Sequence, residues 1–155
     1  MNHDKEYHMQ EQLAIIETVN AIFDLVDAKD WAAVRALIAD EVDVDVTSLG
    51  GGEPARITGD QLVAGWETGL HARKRSWHLV GHHRLRVADD AATAAVLLKG
   101  YAWNRLDEEL GSGMWEVWGT YHLSFERAET GWKMNRFQLD VSATNGDDAV
   151  RTHIA

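Results

Sequence analysis

Phe23-Asp24-Leu25-Val26-Asp27-Ala28-Lys29-Asp30-Trp31 is the stretch where one helix must stop and another begin. Upstream of it, Met9, Leu13, Ile16, Asn20 and Phe23 recur at helical spacing, and Ile15, Val19, Ile22 and Val26 widen the stripe. That periodicity predicts an amphipathic helix over 6–28 with this stripe facing the core. Asp27 ends the stripe, and a carboxylate at a core-facing position is costly unless a partner answers it. Asp30 reads as the N-cap of a second helix over 31–40, in which Val34, Leu37 and Ile38 are apolar.

Downstream, Val42, Val44 and Val46 alternate with Asp43, Asp45 and Thr47, the pattern of a half-buried strand. Gly50-Gly51-Gly52-Glu53-Pro54 reads as a loop, and a third helix over 59–71 presents Leu62, Val63, Trp66 and Leu70. The rest is strand after strand: 77–87, 93–106, 113–128 and 131–142, separated by short turn signals. Three helices followed by a long meander give an α+β fold, a curved antiparallel sheet closed on one side by the helices. One domain is expected over 1–143, followed by a loose polar tail over 144–155.

A 155-residue chain of this composition, 45% apolar and 26% charged, is that of an ordinary globular domain. Its formal charge of −10 argues against nucleic acid and anionic membranes, both of which select clustered cations. The single dense basic run, Arg73-Lys74-Arg75, is expected as a solvated loop. The chain has no cysteine, which removes thiolate nucleophiles and zinc-thiolate sites. With no apolar leader or spanning run, the expected location is cytoplasmic.

Two residues carry the chemistry: Asp27, and His78 in Trp77-His78-Leu79-Val80. His78 is the nearest partner the sequence offers to Asp27. An aspartate that orients and polarises a histidine is the simplest general-base device at neutral pH.

The stretch 23–31, with Val34, Leu37 and the strand after it, resembles the opening of SnoaL-like proteins of the nuclear-transport-factor-2-like superfamily. The resemblance continues at Trp77-His78-Leu79-Val80-Gly81 and at Gly131-Trp132-Lys133-Met134-Asn135-Arg136, and covers about 10–142. It implies a cone-shaped α+β barrel. It also points to the branch that holds scytalone dehydratase, bile-acid dehydratase and the hexachlorocyclohexane dehydrochlorinase. In that branch the positions of Asp27 and His78 form the catalytic pair of an elimination. The tyrosines and lysine that assist this pair elsewhere are replaced here by Ile22, Val26 and Val46.

The expected function is therefore a cofactor-independent lyase, dehydratase-like, or an isomerase, acting on a mid-sized apolar ring compound. Trp66, Trp103, Tyr101, Tyr121, Arg136 and Val46 are the expected substrate-binding residues, with a tyrosine hydroxyl or Arg136 steadying an oxyanion. Two alternatives stand beside it: a binding module without chemistry, and a structural subunit resembling the small subunit of ring-hydroxylating dioxygenases. A homo-oligomer, dimer or trimer, is expected because the sheet's outer face carries large apolar residues. His78, His82 and His83 raise a metal reading, but on an extended strand His78 and His82 are about 13 Å apart. No metal and no cofactor is expected. Gly50-Gly51-Gly52 lacks the lysine of a phosphate loop.

Overall fold

The computed structural model describes residues 2–155. In chain order it contains α1 (Asn2–Ala28), α2 (Trp31–Ala36), β1 (Ile38–Asp45), α3 (Thr47–Gly50), β2 (Ala55–Thr58) and α4 (Gly59–Gly69). Then come β3 (Lys74–Val87), β4 (Thr93–Leu106), β5 (Met114–Ala128), β6 (Gly131–Gly146) and α5 (Asp148–Thr152). The strands form one sheet in the order β2-β1-β6-β5-β4-β3. The four long strands are the expected antiparallel meander, but β1 joins β6 in parallel and brings β2 with it. Strand pairing does not close the sheet into the expected barrel, because β2 and β3 are its two edges. Among the described residues no helix is long and apolar enough to cross a membrane.

Helix α1 buries Ile15, Val19, Ile22, Phe23 and Val26, whereas Leu13 is 58% exposed. The core face is thus the Ile15–Val19–Ile22–Val26 ridge rather than the stripe through Met9 and Leu13. That ridge is uniformly apolar, while the other is interrupted by Asn20. Lys29, in a left-handed conformation, ends α1, and the Asp30 carboxylate caps α2 by accepting from Ala33 N. Helix α2 is shorter than expected because Ile38 and Ala39 bury their side chains in β1, where Ile38 pairs with Met134. Thr58 and Gln61 form a capping box that starts α4.

Two of the sheet's four register slips decide which residues face the helices. Between Gly81 and Arg84 the pairing of β3 with β4 slips, and His82 takes φ +56°. Before it Ser76, His78 and Val80 face the helices; after it His83, Leu85 and Val87 do. A second slip, at Asn135 of β6, opposes Ser124 to Arg136 and Phe125 to Met134. Both ends of the chain's second half also depart from expectation. Strand β3 begins at Lys74, so the basic run is not a solvated loop: Lys74 is fully buried, and its Nζ donates to the Arg151 and His153 carbonyls. Nor is the C-terminus loose. Strand β6 runs on to Gly146, and α5 seats the buried Val150 against Ala102, Leu106, Trp115 and Val117.

Candidate active site

Asp27 sits in the last turn of α1, which packs against β3. Its carboxylate receives three hydrogen bonds from that strand. Oδ1 accepts from Ser76 Oγ at 2.8 Å and lies 2.7 Å from His78 Nδ1, and Oδ2 accepts from the His78 backbone N–H at 2.7 Å. Both side chains of the pair are mostly buried, 17% and 14% accessible. Burial pushes the Asp27 carboxyl up, but the bonds and charge of His78, with Ser76, outweigh it and hold the group below the usual carboxylate range. Asp27 is therefore ionised at neutral pH and can only accept. The proton between them then belongs to His78 Nδ1, and the lone pair of a neutral ring is left on Nε2.

His78 lines a cavity of about 270 Å³ between the sheet and α4. Its wall is apolar on one side, through Val46, Leu49, Trp66 and Phe137. Phe23 packs on His78 at 5.4 Å and on Tyr121 at 5.0 Å between ring centroids, fixing both rings. Tyr121 lines the same cavity, is 4% exposed, and its hydroxyl meets no partner among the described residues. Burial, then the Asp27 charge, pushes its pKa up, so the phenol stays protonated and able to donate. Gly100 makes room for it: a Cβ there would stand 2.2 Å from Tyr121 Cε2.

The pattern of the SnoaL-like domain matches residues 8–138. The chain belongs to the SnoaL-like family. Solved structures agree on the fold. A Kribbella flavida protein superposes with a TM-score of 0.82 at 22% identity, covering 89% of this chain and 95% of that one. A candidate scytalone dehydratase from Novosphingobium aromaticivorans gives 0.80 at 16%, covering 97% and 93%. A hexachlorocyclohexane dehydrochlorinase from Novosphingobium barchaimii gives 0.69 at 14%, covering 96% and 97%. No functionally curated protein matches the sequence.

Within this SnoaL-like cavity the structure gathers His78, Tyr121, Trp66 and Val46, with Asp27 behind His78. It does not bring Tyr101, Trp103 or Arg136 there. Alternation along β4 turns Tyr101 and Trp103 to the opposite face, where Tyr101 donates to Glu116 Oε1 at 2.6 Å. The bulge at Asn135 turns Arg136 outward, where Nη2 donates to Gln138. Among the described residues no group of three or more His, Cys, Asp or Glu stands close enough for a metal ion. His82 is exposed on the bulge, and His83 faces Asn20 Oδ1 at 3.1 Å.

Three polar residues at this SnoaL-like site went unread in the sequence. Ser76 precedes His78 by two, and strand alternation alone would have put it on the same face. Asn104 also lines the cavity, 8% exposed. Arg151 reaches it from α5, a segment whose polar composition hides its docking.

Proposed function

We propose that this protein is a cofactor-independent lyase of the dehydratase type, or an isomerase, that removes a proton from a mid-sized apolar ring compound. The observation that carries the reading is the 2.7 Å contact between Asp27 Oδ1 and His78 Nδ1 at the wall of a mostly apolar cavity. It leaves Nε2 as a base facing the space a substrate would fill. Solved structures of the same fold support a lyase or isomerase role broadly: one is a candidate scytalone dehydratase and another a dehydrochlorinase.

In the proposed reaction the substrate's ring lies between Trp66, Phe137 and Leu139. His78 Nε2 takes a proton from carbon next to a carbonyl or a leaving group. Asp27 keeps the ring in the required tautomer and balances the imidazolium that forms. Tyr121 donates its hydroxyl proton to the oxygen on which charge develops. General-base catalysis of this kind contributes about 10²–10⁴-fold, and one well-placed oxyanion donor about 10²–10³-fold. In an elimination the electron pair of the broken C–H bond becomes the new double bond, and the leaving group departs with the pair of its own bond to the neighbouring carbon. In an isomerisation the imidazolium returns its proton elsewhere on the ring. A cavity of this volume is near the lower end of ligand sites, which suits one to three fused rings.

A second reading, binding without chemistry, draws on a specific observation. Ile22 and Val26 are buried in the core near the pair, and Arg136 points away, so His78 has few polar helpers. Native mass spectrometry of the purified protein would identify a retained compound, to be incubated with wild type, Asp27→Asn and His78→Ala. Conversion by wild type alone supports the enzyme. A retained compound that wild type leaves unchanged puts the binding module ahead.

The outer face of the sheet exposes Trp77, Leu79 and Trp118, an apolar surface on which we place the homo-oligomer contact. Sedimentation should show a dimer or trimer that Trp77→Lys with Leu79→Lys dissociates; a monomeric wild type overturns it.

A further inference from the structure

The polar residues at the α5 end of the cavity have no work in the chemistry just described. Asn104 lies on the inward face of β4 between Ala102 and Leu106, both of which belong to the same buried cluster as Val150 of α5. The residue is 8% exposed, and its amide, which forms no hydrogen bond among the described residues, borders the cavity. A ligand that meets this amide in the cavity gains hydrogen bonds that the protein does not already make.

Arg151, the residue after Val150, borders the same cavity with 23% of its side chain accessible. It gives Nε and Nη2 to Asp148 at 2.7 and 3.0 Å. That leaves Nη1, on the Gly50 side of the guanidinium, unused among the described residues.

Cations outnumber carboxylates around this end, where Asp148 pairs with Arg151 and the Asp27 charge acts on Lys29. Lys74 is buried two residues along β3 from Ser76, the cross-strand partner of Asn104. Lys29 Nζ donates to the carbonyl of Leu70, itself a cavity residue. Lys74 is desolvated and feels further repulsion from Lys29 and Arg151. A chain with net charge −10 has thus collected three cations around one end of its cavity. Such a placement selects anions.

We propose that Arg151 Nη1 and the Asn104 amide form an anion subsite, which holds a carboxylate of the bound ring compound. His78 pairs with Ala102 and Asn104 with Ser76, so the subsite is one diagonal step across the sheet from His78. That step is about 7–8 Å between Cα atoms, the width of one fused ring or so. The substrate class is therefore an apolar ring acid whose carboxylate sits about one ring away from the labile proton. This deepens the functional reading only in taking the same cavity as the substrate site; it does not depend on the base.

The test is a fluorescence titration read by Trp66 and Trp115, which line the cavity. The probes are 2-naphthoate and its neutral isostere 2-naphthamide. Wild type should bind naphthoate at least about tenfold more tightly, the scale of one charge-assisted pair. Arg151→Gln should abolish that preference while leaving the amide's affinity unchanged, and Asn104→Leu should weaken both probes. Asp148→Asn, which frees Arg151 without removing it, should keep or raise the preference. Equal affinities in wild type, or no saturable quenching by naphthoate at millimolar concentration, would overturn the proposal. So would an Arg151→Gln variant that loses both probes equally, since that marks Arg151 as a mere strut for α5. Asp27→Asn separates this proposal from the base reading: naphthoate binding should survive there whether or not turnover does.

Discussion

Asp27 holds His78 twice, by its ring Nδ1 and by its backbone N–H, each at 2.7 Å and each on a different carboxylate oxygen. The double hold fixes the strand and the ring together, so the imidazole cannot swing without also losing a backbone bond. A single carboxylate thereby sets the tautomer of His78 and the register of β3 beneath α1.

Asp27→Asn should break this arrangement on one side, because an amide offers one acceptor oxygen where three donors converge. Chemical denaturation should show a loss of about 1–3 kcal/mol, the cost of a partly buried donor left unpaired. Turnover of an identified substrate should fall by at least about 10²-fold, beyond the loss of folded protein. Unchanged turnover would remove Asp27 from the mechanism.

Tyr121→Phe should leave stability within about 1 kcal/mol of wild type, since the hydroxyl bonds to nothing among the described residues and the ring is kept. Turnover should drop by about 10²–10³-fold if the hydroxyl steadies an oxyanion. A full-rate Tyr121→Phe enzyme would leave His78 working without that donor.

Gly100→Ala should be strongly destabilising, because its methyl would meet the Tyr121 ring at 2.2 Å. A cost of about 1–3 kcal/mol is the usual penalty for such overpacking. The double variant Gly100→Ala with Tyr121→Leu should recover most of it, a coupling that a double-mutant cycle in urea would measure. Additive costs would mean that Gly100 is required for another reason.

Lys74 gives a pH signature. Burial pushes its ammonium down to about 8 from its ordinary value of 10.5, with repulsion from Lys29 and Arg151 adding to the shift. Between those two pH values the unfolded chain binds the extra proton, so stability rises with pH. Below pH 8 both states are charged and the full cost of burying the ammonium is present. Urea melts at pH 7.5, 9 and 10 should show wild type gaining stability relative to Lys74→Met. Parallel curves for the two would show that the ammonium is not desolvated in solution.

What the sequence by itself determined was whatever local periodicity and family motifs carry: the three longer N-terminal helical segments, the four-strand meander, the α+β class and the Asp27–His78 contact, but not α3, β2 or α5. Alternation and helical spacing are short-range properties, and they survive in any context that buries one face. Which helical stripe of α1 is buried was decided only by docking on β3, because two overlapping ridges both read as apolar. Tyr101, Trp103 and Arg136 were expected in the cavity and lie outside it, since a strand's two faces differ by one residue. The bulge at Asn135 decides the parity for Arg136 without a local sequence signal. The C-terminal segment reads as a polar tail because its one buried anchor, Val150, has meaning only once β4 and β5 present the apolar seat that receives it. Asn104 and Arg151 became visible at the same moment, for that seat is the end wall of the cavity. Pairing over long sequence distances is settled by tertiary packing, and the polar end of this site is built entirely from it.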